Sequence, residues 1–176
     1  PFHKTVGLIQ NILASTEVEA YLVGGFLRDF LLDTPTKDLD ITVEGDASLI
    51  AREMADRLDG SFVPLGEQYQ MARAVFFAEG EEWQADVATI QGTVLDDLAR
   101  RDFTIDAMAL PLEVWGSAEW REHLLDPFGG QDDLARKVLR VVSETALRED
   151  PARLLRGPRL AARLGFIIEE RTRELL

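Results

Sequence analysis

At 176 residues and 46% hydrophobic, the chain is long enough for one packed domain with a short appendage and too apolar to be disordered. It has no cysteine and only two isolated histidines, His3 and His123, which excludes disulfide frameworks and thiolate or imidazole zinc clusters and leaves oxygen ligands for any catalytic metal. A net charge of −13 argues against a broad nucleic-acid surface, Pro1–Gln10 lacks the pattern of a signal peptide, and no run approaches the roughly 18 apolar residues of a membrane span, so a soluble, cytoplasmic protein without a membrane partner is expected.

Val6–Leu13 reads as an amphipathic helix, and Ala20–Val23 as a short strand that ends in Gly24-Gly25 and passes into a helix over Phe26–Leu32. Lys37–Glu44 alternates, with Asp38 and Asp40 on one face and Leu39, Ile41 and Val43 on the other, as a half-buried strand requires. Asp46 is placed to cap a helix that runs to about Leu58 and stops at Asp59-Gly60. Strand-like runs follow around Phe62–Leu65, Ala72–Ala78 and Trp83–Ile90, and Asp97–Leu110 reads as a helix closed by Pro111. Leu124–Gly130 is a turn-rich connection, Leu134–Lys137 a short helix and Val138–Val142 an edge strand. From Ser143, helix-start signals recur at Ser143-Glu144 and Glu149-Asp150-Pro151, and Leu154, Leu155, Leu160, Ala161 and Leu164 form an apolar helical face ending at Gly165. Glu169–Leu176 looks like the start of a further helix with nothing to pack on, an ending that points to truncation. Arginines gather late, at 148, 153, 156, 159, 163, 171 and 173, whereas Asp33–Asp59 is mostly acidic.

Two constellations carry chemistry in the first half. Adjacent glycines at a strand-to-helix turn let backbone approach a phosphate, the helix N-terminus favours an anion, and Arg28 lies one turn on. Asp38 and Asp40, at i and i+2 on a strand, project from one face and can share hard cations such as Mg2+. Taken singly, the glycines read as an ordinary turn and the carboxylates as a solvated strand edge; together, in this order, they favour phosphate and metal chemistry. The combination resembles the nucleotidyltransferase superfamily signature, which adds a third carboxylate on a later strand. Asp86, within Ala85-Asp86-Val87, fits that place and fits a surface strand residue equally well.

Arg100-Arg101-Asp102-Phe103-Thr104-Ile105-Asp106-Ala107-Met108-Ala109 is similar to a motif of the tRNA CCA-adding and bacterial poly(A) polymerase family, with Asp106 standing where that family more often has Asn. The resemblance implies that Arg101 and Asp102 help hold the ribose and triphosphate of an incoming nucleotide. Asp126-Pro127-Phe128-Gly129-Gly130-Gln131-Asp132-Asp133-Leu134, with Arg140, resembles the next family motif and reads as structural. Glu149-Asp150-Pro151-Ala152-Arg153-Leu154-Leu155-Arg156 resembles the base-reading motif, in which Asp150 accepts from the exocyclic amine of cytosine or adenine and Arg153 donates to their ring acceptors. Residues at i and i+3 on a helix share a side, which permits this and equally permits a plain Asp150–Arg153 ion pair. Arg156 is a further candidate for the same pocket.

The resemblance runs from about Tyr21 to Phe166. It implies an α/β (α+β) fold: a nucleotidyltransferase head with a small mixed β-sheet flanked by helices over residues 1–142, then the start of an all-helical neck over 143–176, with body and tail absent. It implies Mg2+ as cofactor, CTP and/or ATP as substrates, and the 3′ end of tRNA as acceptor, with CC, A or CCA addition all open and most RNA contacts in the absent parts. Ala88–Leu98 leaves little room for the longer flexible loop that CCA-adding and A-adding enzymes carry there and CC-adding enzymes lack. A poly(A) polymerase, a small-molecule adenylyltransferase and a non-catalytic nucleotide-binding module are the alternatives.

Overall fold

The alternation of Lys37–Glu44 becomes an inner strand of a six-stranded sheet. The computed structural model describes residues 2–66 and 70–176 and divides them into two compact units, residues 1–90 with 109–124 and residues 91–108 with 125–176. These units interleave along the chain.

The first unit holds α1 (Phe2–Leu13), β1 (Ala20–Val23), α2 (Gly24–Leu31), β2 (Asp38–Val43), α3 (Ala47–Arg57), β3 (Ser61–Pro64), β4 (Met71–Ala78), β5 (Glu81–Thr89) and β6 (Ala109–Pro111). The sheet order is β3-β4-β5-β2-β1-β6, with β2 and β5 parallel and the other neighbours antiparallel. The mixed sheet flanked by helices is therefore as expected. Alternate side chains are buried on β4 (Ala72, Ala74 and Phe76) and β5 (Trp83, Ala85 and Val87), while β2 buries Leu39 and Ile41 and, at its end, Thr42 and Val43 as well. Helix α3, packed on β3, β4 and β5, adds Ile50, Ala51 and Met54 to that core. Each fully buried large side chain contributes about 1.5–3 kcal/mol. Asp46 caps α3 as its sequence position predicts, accepting from Ser48 N at 2.8 Å and Leu49 N at 3.2 Å, worth roughly 0.5–2 kcal/mol. The alternate positions, Asp38, Asp40, Gln84, Asp86, Arg73 and Phe77, lie on the other face of the sheet.

The second unit holds α4 (Val94–Ala99), α5 (Gly130–Arg136), β7 (Val138–Leu139), α6 (Glu144–Glu149), α7 (Ala152–Leu164), β8 (Ile167–Ile168) and α8 (Glu170–Leu175). Here several expectations need correction. Asp97–Leu110 is not one helix: α4 ends at Ala99, Phe103 is extended at φ −121°, a single 3-10 turn spans Thr104–Asp106, and the chain continues into β6. The cause is tertiary hydrogen bonding, since Thr104 N donates to Arg140 O and Val142 N to Asp102 O, both at 2.9 Å, around a Phe103–Val141 bridge. Those bonds outweigh a helical preference that Phe103, Thr104 and Ile105 hold only weakly. The strand expected over Val138–Val142 shrinks to β7, paired in parallel with β8, so residues 143–176 are not wholly helical. Leu155 is 80% exposed and so does not join Ala161 inside. Asp150 is extended and precedes α7 instead of lying within it. Among the described residues no helix is long and apolar enough to cross a membrane.

Candidate active site

In the first unit the site starts at the end of β1. Val23 is extended, and Gly24 takes φ +61°, a left-handed conformation that glycine adopts without a Cβ clash. Gly25 is needed for closeness: a Cβ there would lie 3.2 Å from an Arg28 guanidinium nitrogen and 3.3 Å from Asp40 Oδ2. The Phe26 amide donates to Asp40 Oδ2 at 3.0 Å, so one of the α2 amides expected to face phosphate is already occupied by the second carboxylate of the Asp38-Leu39-Asp40 strand. That bond fixes Asp40 against the turn and explains why the glycine pair and the carboxylate pair occur together. Arg28, expected to reach the triphosphate, is only 4% exposed, and its Nε donates to Asp29 Oδ1 at 2.7 Å. Its buried guanidinium is engaged inside the fold. Asp38 is exposed and Asp40 half-buried, both on the open face of β2.

Asp86 stands directly opposite Asp40 in the β2–β5 register, and Arg73 stands opposite Asp86 in the β4–β5 register. Arg73 grips Asp86 through both oxygens, Nε to Oδ1 at 2.5 Å and Nη2 to Oδ2 at 2.8 Å. This hydrogen bonding holds the Arg73 guanidinium above the ordinary arginine range, with the charges of Asp86, Asp38 and Asp40 adding to it against burial, which lowers it. The structure thus places all three sequence-selected carboxylates on one face but gives the third to an arginine. Arg73 escaped the sequence reading; its signal was a lone cation in the run Met71–Ala78, at the parity opposite the buried alanines. Among the described residues no group of three or more Asp, Glu, His or Cys is arranged to hold a metal ion. Two carboxylates nevertheless suit Mg2+, which is usually held by one or two protein carboxylates and completes its shell with water and substrate phosphate oxygens.

At the other end of β1, a cavity of about 460 Å³ is lined by Leu13, Val18, Tyr21, Leu112 and Glu113 and contains none of these residues. Burial, followed by the hydrogen bond to Glu19, pushes the Tyr21 hydroxyl up to about 12.

In the second unit, Arg101 bridges to Asp97 at 3.2 Å and to the Asp106 carbonyl at 3.4 Å. Asp102 is 4% exposed; its Oδ1 accepts from the Phe103 amide at 3.0 Å. Arg156 Nε lies 3.2 Å from Asp102 Oδ2, within ion-pair range but off the line of a hydrogen bond. Asp102 Oδ2 and Arg101 Nε are therefore buried without an aligned hydrogen-bond partner among the described residues, a state folded proteins seldom leave unexplained. Asp106 is also buried.

Asp150 Oδ1 accepts from Ala152 N at 3.0 Å and opens α7, while Asp150 Oδ2 lies 3.7 Å from Arg153 Nε. The i, i+3 pairing is thus present although Asp150 sits outside the helix. Arg153 does more than pair: its Nη1 donates to Arg100 O at 2.8 Å and Ala146 O at 2.7 Å, tying α7 to the Arg100-Arg101 segment and to α6. The glycine-rich segment before α5 is built as a support. Asp126 accepts from Gly130 N and Gln131 N, and Asp133, 4% exposed, accepts from Thr104 Oγ1 at 2.7 Å and from Arg140 Nε at 3.0 Å. Arg140 is held above its ordinary range by that hydrogen bonding, and Glu169, which lies 3.5 Å from Arg140, is held below its own, chiefly by the Thr172 amide.

The poly A polymerase head domain matches residues 20–140. A CC-adding tRNA nucleotidyltransferase of Geobacter sulfurreducens is 44% identical over 170 residues, covering 96% of this chain and 37% of that protein. An A-adding tRNA nucleotidyltransferase of Halalkalibacterium halodurans is 30% identical over 180 residues, with 94% and 40% covered. Among solved structures, a CCA-adding enzyme in complex with ATP aligns with a TM-score of 0.81 at 35% identity, over 98% of this chain and 41% of the other. The Thermotoga maritima CCA-adding enzyme complexed with tRNA aligns with 0.79 at 36% identity, over 98% and 40%. The chain spans less than half the length of each of these relatives.

Proposed function

Because this chain belongs to the poly A polymerase head-domain family of nucleotidyltransferases, we propose that it carries the catalytic head, residues 1–142, and the start of the neck, residues 143–176, of a cytoplasmic enzyme that adds nucleotides to the 3′ end of tRNA. The observation that carries this reading is the Asp38–Asp40 pair on β2, with Asp40 fixed by the Phe26 amide beneath the Gly24-Gly25 turn. Asp38 and Asp40 would hold Mg2+, which when bound would supply Lewis-acid activation of the attacking hydroxyl and screening of the departing charge. The RNA 3′-hydroxyl attacks the α-phosphorus of the incoming nucleotide, the bond to the β-phosphate oxygen breaks, and pyrophosphate leaves. Gly24 and Gly25 let the triphosphate approach backbone, and Arg28 keeps the turn in shape from its buried pair with Asp29. By the resemblance of the segment that carries them, Arg101 and Asp102 are assigned to the ribose and triphosphate of the incoming nucleotide. Asp150 and Arg153 select cytosine and adenine over uracil and guanine, whose matching edges have the opposite polarity and would leave a charge unpaired. Arg156, beside Asp102, belongs to the same group.

Within the family, addition of CMP is the finer reading. Strand β5 ends at Thr89, and the capping box of Thr93 and Asp96 already begins α4, so the connection contains only residues 90–93. The 44% identity to a CC-adding relative from Geobacter sulfurreducens supports the same reading. The test is incubation with labelled CTP or ATP and a tRNA lacking its terminal CCA, in Mg2+. CMP incorporation lost in Asp38→Ala supports the reading; incorporation of AMP alone would turn it toward A addition or polyadenylation, and incorporation independent of Asp38 would contradict it.

A further inference from the structure

The Arg73–Asp86 pair has no part in the chemistry above, yet it lies one strand away from the carboxylates that carry it. Asp40, Asp86 and Arg73 are consecutive across β2, β5 and β4 in the sheet register, on the same open face as Asp38. Neighbouring strands are about 4.8 Å apart, so a cation on Asp38 and Asp40 would lie within reach of a third carboxylate at Asp86. Asp86 is prevented from turning toward it, because Arg73 occupies both of its oxygens. A bidentate guanidinium–carboxylate fork is among the strongest and most directional of side-chain contacts.

Building on the proposed metal role of Asp38 and Asp40, we infer that Arg73 is a positioning residue that withholds Asp86 from the metal and keeps the centre a two-carboxylate site. Charge balance gives this a purpose. Asp38, Asp40, Asp86 and Arg73 together carry −2, which one divalent cation neutralises; without Arg73 they would carry −3 and repel the triphosphate. Mg2+ demands a near-octahedral shell, so a third protein oxygen would take a coordination position from water or from a phosphate oxygen. The centre binds its cation less tightly than three carboxylates would and leaves more of the shell to the substrate.

The experiment is Mn2+ binding to the whole 176-residue chain, followed by electron paramagnetic resonance without nucleotide or RNA. Asp38→Asn should abolish binding, which tests the metal reading by itself. Arg73→Gln should tighten binding roughly tenfold, the scale set by unmasking one negative charge near a divalent ion. Arg73→Lys, which keeps the charge but not the fork, should lie between. Arg73→Gln combined with Asp86→Asn replaces a neutral pair with a neutral pair and should restore the original affinity within about twofold. Weakening of the double variant by roughly tenfold would make Asp86 a metal ligand and overturn the inference; so would unchanged or weaker binding in Arg73→Gln. Binding that survives in Asp38→Asn, or is missing from the unsubstituted chain, would overturn the metal reading and the inference with it.

Discussion

Replacing Arg153 with lysine, alongside Asp150 with asparagine, separates holding the second unit together from reading a base. Arg153 Nη1 donates to two carbonyls, Arg100 O and Ala146 O, from a side chain only 21% exposed. Lysine keeps the charge but loses the planar fork, so at least one charge-assisted bond is lost, at about 1.5–3 kcal/mol before partial hydration of the freed carbonyl. Taking ~2 kcal/mol, and roughly 2–4 °C per kcal/mol for a chain of this size, Tm should fall by about 4–8 °C. Asp150→Asn behaves differently. The amide oxygen can still accept from Ala152 N, so Tm should stay within about 1 °C, the scale of a cap that is conserved. With its oxygen so used, the asparagine presents its NH2 group where the carboxylate was, replacing an acceptor with a donor. The affinity for CTP and ATP should therefore fall roughly tenfold, equivalent to one mismatched buried hydrogen bond of about 1.4 kcal/mol. Differential scanning fluorimetry and titration calorimetry on the same samples read both effects. An unchanged Tm in Arg153→Lys would refute the clamp, and an Asp150→Asn variant that loses stability but not nucleotide affinity would reduce Asp150 to a helix cap.

Asp133→Ala removes the buried acceptor shared by Thr104 and Arg140; because Arg140 is 41% exposed and regains hydration, the loss should be about 2–3 kcal/mol, below the full cost of breaking a buried pair, as read by urea unfolding. Gly130→Ala would set a Cβ 2.4 Å from Thr104 O and should cost about 1–3 kcal/mol or more in the same assay. Gly129→Ala meets no atom within 4 Å and should cost only about 1–2 kcal/mol through its φ of +73°. In an ultraviolet titration one tyrosine should ionise near pH 12 and vanish in Tyr21→Phe. Since that hydroxyl is raised above its ordinary value of 10.0, its contribution to stability is full below pH 10 and is lost as pH rises from about 10 to about 12.

Much of this was legible because local chemistry and tertiary demand coincide. The period-two alternation of Lys37–Glu44, the Asp46 cap and the Gly24-Gly25 turn each state a local requirement that the fold keeps. The segment Asp97–Leu110 was misread because its conformation is decided by Arg140 and Val142, distant in sequence, whose backbone groups take the bonds a helix would have made. Arg28 illustrates the matching limit for the site. Its position after two glycines suggested phosphate, but a buried salt link to its neighbour Asp29 cannot be told from an exposed arginine by sequence alone. Arg73 went unread because strand register, not spacing along the chain, sets it opposite Asp86.

The most direct test of the account is calorimetric titration of the chain with CTP, ATP, UTP and GTP, each with Mg2+ and with EDTA. The account predicts that CTP and ATP bind more tightly than UTP and GTP, and that binding weakens without Mg2+ and in Asp38→Asn. Equal binding of all four nucleotides, or binding indifferent to both Mg2+ and Asp38, would contradict it.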